Sequence, residues 1–207
     1  MISKTVIMRI LEYKDALIRM NRLGVEKVSS QSLGELIGIK TELVRKDFSL
    51  LKIPGNKKAK YDVINLIESI DSVFSSESIQ KAIIVGFGKI GKALLMNESF
   101  KNKHITISAC FDVDPDKLNI YLKPPILPLE ELANFTRENS IKLGIITVPE
   151  TKAQDVFDIM YFAGIRAFLN FTPANIISHN DTFITNIRIA HELQYLTYQL
   201  NNIENQE

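Results

Sequence analysis

The residues with the most chemical content stand in one run, Gly86-Phe87-Gly88-Lys89-Ile90-Gly91. The spacing G-x-G-x-x-G is what a main chain needs to wrap a pyrophosphate. The first glycine permits a tight turn, the second brings the backbone to the phosphates with no Cβ between, and the third lets the next helix pack closely on its strand. Free amides and the positive dipole end at the start of that helix favour an anion. A carboxylate belongs at the end of the following strand, where it takes both hydroxyls of an adenosine ribose and repels a 2′-phosphate. Asp112 fills that position, 26 residues beyond Gly86. Together they point to NAD(H) rather than NADP(H). Asp114 and Asp116 beyond it belong to a solvated turn as readily as to a site.

A second set of residues is basic. Arg45, Lys46 and Ser49 share the non-apolar side of a short helical segment, and Lys52, Lys57, Lys58 and Lys60 crowd a turn containing Pro54 and Gly55. Arginine can bridge guanine O6 and N7 with two hydrogen bonds, whereas lysine and serine more often hold phosphates. Arg45 is therefore the expected base reader, and the lysines are expected to supply salt-dependent affinity from a wing. Ser29 and Ser30 open the preceding helix and complete this candidate DNA-binding set. The charge distribution agrees: residues 1–65 hold 13 Lys/Arg against 7 Asp/Glu, while residues 66–207 hold 12 against 17. A basic module joined to an acidic one suits a chain whose first part meets a polyanion.

The elements that must position these groups follow from periodicity. Apolar residues at helical spacing over 5–23 predict a first helix ended by Gly24, and Ser29 or Ser30 caps a second that Gly38 closes. Thr41 is expected to cap a third over 42–51, with Leu43, Val44, Phe48 and Leu51 as its apolar face. The order helix, glycine turn, helix, then a basic hairpin reads as a winged helix-turn-helix. Asp62 caps a linking helix, and the serine-rich stretch 72–78 marks a boundary. From residue 79, strands at 82–85, 105–111, 143–148 and 167–171 alternate with helices at 91–100, 129–139 and 152–163. That beat implies a parallel sheet covered on both faces, a Rossmann domain. A last helix at 187–200 carries Ile189, Leu193, Leu196 and Leu200 as one stripe. The expected domains are thus 1–78 for DNA, 79–180 for the nucleotide and 181–207 for a terminal helix and tail.

Other chemistry finds little support. One cysteine, Cys110, excludes an internal disulfide framework and a Cys-cluster metal site, and its place in a strand reads as a small buried hydrophobe. No metal is expected. The apolar runs are strand-length and the N-terminus has no signal-peptide core, so the expectation is a cytoplasmic protein with no membrane role. A small NAD-dependent dehydrogenase is the rival from another class. About 30 residues after the cofactor unit are too few for a substrate domain, and His104, His179 and His191 form no evident arrangement with an acid.

These residues resemble, over nearly the whole chain, the Rex redox-sensing transcriptional repressors of bacteria. The likeness rests on the order of the segments Val28-Ser29-Ser30-Gln31, Val44-Arg45-Lys46-Asp47-Phe48-Ser49, Tyr61-Asp62-Val63, the glycine run, Phe111-Asp112-Val113-Asp114-Pro115, Thr147-Val148-Pro149, Leu169-Asn170-Phe171 with Pro173, and Glu192-Leu193-Gln194. The resemblance implies a homodimer on an inverted-repeat operator, released when NADH fills the Rossmann site, with NAD+ competing without release. It implies that the final helix exchanges between subunits, and that Thr147, Val148, Pro149, Asn170, Phe171 and Pro173 border the nicotinamide end.

Two departures stand out. The family's wing is usually glycine-rich, whereas here Asn56, Lys57, Ala59 and Lys60 fill it. Relatives commonly place an arginine two positions after a tyrosine of the first helix, to pair across the dimer with an aspartate on the exchanged helix. Here Asp15 follows Tyr13 and the other position holds Arg188, so the charges are swapped and a bridge of reversed polarity is expected. A DNA-binding member insensitive to nucleotide stays open as an alternative.

Overall fold

The computed structural model describes residues 2–53, 60–74, 79–97 and 105–204. The chain divides into two compact units, 1–77 and 78–207. No helix among the described residues is long and apolar enough to cross a membrane.

In the first unit α1 (Lys4–Arg22) is capped by the Ser3 hydroxyl and stops at Gly24, whose φ of 75° suits a residue without a Cβ. It buries Ile10, Tyr13, Ala16 and Leu17, a stripe at helical spacing. A two-residue strand, β1 (Lys27–Val28), leads to α2 (Ser30–Ile37), and α3 (Thr41–Leu50) follows the left-handed Gly38. Ser29 is the cap of α2, accepting from the Ser32 amide at 3.0 Å. The expectation for Thr41 is corrected. Lys40 occupies the cap with no side-chain bond, and Thr41 is already the first helical residue. After β2 (Tyr61–Asp62), antiparallel to β1, comes α4 (Val63–Phe74), where Asp62 accepts from the Asn65 amide at 3.0 Å. Phe48 of α3 meets Tyr13 and Tyr61 edge-on, with centroids 5.6 and 5.2 Å apart, at the centre of this unit's core. Lys57, Lys58 and most of the expected wing lie outside the described residues.

The second unit is a six-stranded, wholly parallel sheet in the order β5-β4-β3-β6-β7-β8. Its chain order is β3 (Gln80–Val85), α5 (Lys89–Leu95), β4 (Ile105–Asp112), β5 (Ile126–Pro128), α6 (Leu132–Glu138), β6 (Leu143–Ile146), α7 (Ala153–Phe162), β7 (Ala167–Asn170), β8 (Phe183–Asn186) and α8 (Ile189–Glu204). Alternate strand residues feed two cores. Ile83, Val85 and Phe111 join Phe157 and Met160 on one face, while Ala82, Ile84 and Cys110 join Phe87 on the other. The chain runs outward from β3 to β5, then returns to lay β6 on the opposite side of β3. That reversal opens a crevice at the carboxyl ends of β3 and β6, where open parallel sheets bind ligands.

Two strands of this sheet escaped the sequence reading. β5 is three residues long and ends in proline, and β8 is an edge strand with Phe183 and Asn186 exposed, so neither shows the apolar run that identified the others. The helices expected to begin at 129 and 152 each start instead as a 3-10 turn, at Leu129–Glu131 and Glu150–Lys152. α8 makes no core of its own: Ile189, Leu193, Leu196 and Leu200 are 52–66 % exposed in the single chain.

Candidate nucleotide cleft and nucleic-acid interface

The glycine run sits at the crevice, and the space around each glycine explains its identity. Gly86 adopts φ 97°, and a Cβ there would lie 2.7 Å from the Thr147 carbonyl oxygen. At Gly91 a Cβ would meet the Gly86 carbonyl oxygen at 2.1 Å, so α5 packs on the turn with no room for a side chain. Gly88 differs, since a Cβ there meets nothing within 4 Å. The space it leaves is open rather than filled by protein, as a cradle for a ligand requires. Thr147 links the two walls by donating its hydroxyl to the Gly86 and Val85 carbonyls at 2.7 and 3.0 Å.

The cavity they border has a volume of about 830 Å3, at the upper end of ordinary ligand pockets. Gly86, Gly88, Lys89, Ile90, Asp112, Thr147, Val148 and Pro149 line it, which brings together eight of the residues expected from the sequence. Phe87 and Gly91 support rather than line it: both are buried, Phe87 in the core beneath the turn. Sequence reasoning missed Lys117, Lys152, Val156 and Ile159. Val156 is on the core-facing stripe of α7, a pattern that by itself signals only packing, and Ile159 is an exposed apolar residue of the same helix.

Asp112 is 7 % exposed and does more than end a strand. Oδ2 accepts from the Phe87 amide at 2.7 Å and Oδ1 from the Asp114 amide at 2.9 Å, while Lys117 Nζ lies 3.2 and 3.3 Å from the two oxygens. Burial alone would raise its pKa. The two amides and the ammonium outweigh that, holding the carboxyl below its usual value. Asp114 also pairs with Lys117, at 3.3 Å. The corner of the cavity beside Asp112 is therefore a fixed acidic group paired with the Lys117 ammonium.

Asn170, Phe171 and Pro173 do not line this cavity. Asn170 is fully buried: it donates to the Ala174 carbonyl and Asn186 Oδ1 and accepts from the Thr172 amide and hydroxyl, so it shapes the turn after β7. Phe171 and Pro173 line a neighbouring hollow of about 350 Å3 that shares Ile90 with the cavity. Arg188 borders that hollow too. Its Nη1 donates to the Thr172 carbonyl at 2.6 Å, and its Nη2 to the Ala174 carbonyl and Asn175 Oδ1 at 2.9 and 3.0 Å. Asp15 is half-buried on α1.

In the first unit Arg45, Lys46 and Ser49 are all exposed on α3, and Lys60 is exposed before β2. Ser30 is not: it is 7 % exposed, and its Oγ accepts from Arg45 Nε at 3.1 Å. The residue between the basic side and the apolar side, Asp47, is buried with 1 % exposure. Arg9 donates to its two oxygens at 2.8 and 2.7 Å and the Tyr13 hydroxyl adds a third bond at 2.9 Å. Burial, then the bond to Asp47, raises the Tyr13 pKa. A buried carboxylate is tolerated only with such partners, and here they pin the candidate recognition helix to α1. Among the described residues no group of three or more His, Cys, Asp or Glu could hold a metal ion.

Comparison with known proteins agrees with this two-part layout. Residues 77–174 match the family model described as "CoA binding domain", and residues 1–49 match one described as "Putative DNA-binding protein N-terminus". The redox-sensing transcriptional repressor Rex of Lactobacillus gasseri is 33 % identical over 202 residues, covering 97 % of this chain and 94 % of that protein. Rex of Desulforamulus reducens is 32 % identical over 200 residues, covering 96 % and 95 %. Among solved structures, RSP in complex with β-NAD+ and operator DNA matches with a TM-score of 0.90 at 26 % identity, over 99 % of this chain and 94 % of that one. RSP in complex with β-NADH matches at 0.86 and 26 % identity, over 99 % and 96 %.

Proposed function

Since this chain belongs to the Rex family of redox-sensing transcriptional repressors, we propose how its own residues carry out NAD(H)-controlled repression. The chain is a DNA-binding repressor and not an enzyme. The observation that carries the nucleotide half is the open space at Gly88 on the wall of an 830 Å3 cavity at the sheet's reversal point. That cradle fits a dinucleotide, with main chain free to approach its phosphates. The bound nicotinamide supplies the redox information. Gly86, Gly88 and Gly91 shape the turn, Lys89 and Ile90 flank it, and Asp112 ties Phe87 to the ribose corner, where carboxylates disfavour a 2′-phosphate. Thr147, Val148 and Pro149 form the opposite wall, and Asn170, Phe171 and Pro173 shape the neighbouring hollow toward the nicotinamide end.

Residues 1–78 bind the operator, 79–180 the nucleotide, and 181–207 the other subunit. Arg45 reads a base edge, while Lys46, Ser49 and Lys60, with Lys57 and Lys58 of the wing and Ser29 at the start of α2, hold the phosphates. The protein works in the cytoplasm as a homodimer on an inverted repeat. The exposed apolar stripe of α8 supports exchange of that helix between subunits. Asp15 of one subunit and Arg188 of the other form the bridge of reversed polarity. The three donors Arg188 already uses within its own unit leave Nε–H and one Nη1–H for it.

Calorimetric titration with NADH, NAD+ and NADPH tests the nucleotide assignment. Both forms of NAD are expected to bind and NADPH at least about tenfold more weakly, one decade being about 1.4 kcal/mol. Equal affinity for all three would refute the acidic corner, and no binding would refute the cleft.

A further inference from the structure

The hydrogen bond between Arg45 and Ser30 gives a task to a residue that is itself buried. Gly34 stands one turn after Ser30 on the same face of α2. A Cβ there would lie 2.5 Å from the Ile39 carbonyl oxygen and 3.4 Å from Val44 Cγ2. The absence of a side chain at Gly34 lets α2 lie close against the start of α3, which brings Ser30 Oγ within 3.1 Å of Arg45 Nε. On its other side α3 is pinned to α1 through Asp47, Arg9 and Tyr13. The two helices that carry the contact are thus held in place, by close packing at Gly34 and by the hydrogen bonds of Asp47.

A guanidinium offers five N–H donors in one plane. It can meet guanine O6 and N7 side-on, through Nε and one terminal nitrogen, or end-on, through both terminal nitrogens. With Nε donated to Ser30, the side-on approach is closed and the end-on fork remains, its plane set by a buried hydroxyl. A side chain already held in this way also has less rotamer freedom to lose on binding.

We propose that Ser30 is a positioning residue for operator reading, which makes no contact with DNA and sets the plane in which Arg45 presents its terminal nitrogens to a guanine edge. This rests on Arg45 being the base reader. Loss of the Ser30 hydroxyl therefore blurs base choice at the position Arg45 reads, and leaves the phosphate-derived affinity for other sequences in place.

The test uses the full chain and a pool of duplexes carrying two randomised half-sites in inverted repeat, selected separately with wild type, Ser30→Ala, Ser30→Thr, Arg45→Ala and the double variant Ser30→Ala/Arg45→Ala. Guanine enrichment at one position per half-site is expected with wild type and is lost with Arg45→Ala. Ser30→Ala should lower the enrichment at that same position about 3- to 10-fold, the worth of one net hydrogen bond, with the other positions unchanged. Ser30→Thr, which keeps the hydroxyl, should restore it, and the double variant should match Arg45→Ala. Melting temperature reports that each variant is folded. A Ser30→Ala profile identical to wild type, or one weakened equally at every position, overturns the positioning role. An Arg45→Ala profile that keeps the guanine overturns the base-reading assignment itself, a result distinguishable from a silent Ser30→Ala beside an effective Arg45→Ala.

Discussion

Replacing Gly88 by valine should separate ligand binding from folding. The backbone there has φ −83° and ψ −160°, extended geometry open to any residue, and a Cβ would touch no protein atom within 4 Å. The folded domain should hardly notice the change. A substitution that meets no neighbour stays within about 0.5 kcal/mol, which for a domain of this size is a shift of about 2 °C or less. The ligand would notice, because the new methyl groups occupy the space between main chain and pyrophosphate. Losing two charge-assisted hydrogen bonds at about 1.5 kcal/mol each removes about 3 kcal/mol, or roughly 100-fold in affinity. Gly91→Ala is the contrasting control. Its Cβ would press on the Gly86 carbonyl oxygen from 2.1 Å, so the variant should lose stability first. The assay is a titration of NADH fluorescence with thermal melting alongside. Binding by Gly88→Val within about threefold of wild type, which is about 0.6 kcal/mol, would refute the cradle. So would a melting point lowered as far as that of Gly91→Ala.

Asp47→Ala should cost the first unit about 3 kcal/mol, because it leaves Arg9 and Tyr13 facing a void where a buried charge was paired; denaturant unfolding showing under about 1 kcal/mol would make the network incidental. Asp112 is depressed in the folded state, so the stability it contributes is present above the unfolded value of about 3.9 and is lost as pH falls through its lower folded pKa. NADH affinity should accordingly be flat from neutral pH down to about 5, and Asp112→Asn should weaken it throughout; an affinity already halved near pH 6 would contradict the depressed carboxyl. Cys110 is fully buried and its thiol is pushed up to about 12 by burial, so iodoacetamide at about pH 8 should modify it only after denaturation; ready modification of the native protein would reopen a thiol switch. For the swapped pair, Asp15→Ala and Arg188→Ala should each impair NADH-controlled release and the double variant should be no worse than the more impaired single one; effects that simply add mean the charges are not coupled.

Much of this layout is legible in the residues because a few positions admit few alternatives. Gly86 and Gly91 face backbone carbonyls that exclude a Cβ, and Ser29 and Asp62 cap helices with their own side chains. The apolar stripe of α1 and the runs in β3 and β4 report burial directly. What was not legible depends on contacts between distant segments. Asp47 follows Arg45 and Lys46 and looks like a third surface charge until Arg9, 38 residues earlier, is seen to close on it. Ser30 looks like a phosphate contact until the approach of α2 to α3 turns it toward Arg45. Asn170 reads as a residue of the cleft, yet its partners, Thr172, Ala174 and Asn186, draw it into the turn. Lys117 carries no motif, and only the curl of the chain after Asp114 brings its ammonium to Asp112.

Control of the grip on DNA by nucleotide state is read directly by fluorescence anisotropy of a labelled inverted-repeat duplex recovered from the wild-type selection. The protein is expected to hold the duplex when free or with NAD+, and to let go as NADH is added. Equal affinity with NADH, with NAD+ and with neither would contradict that control.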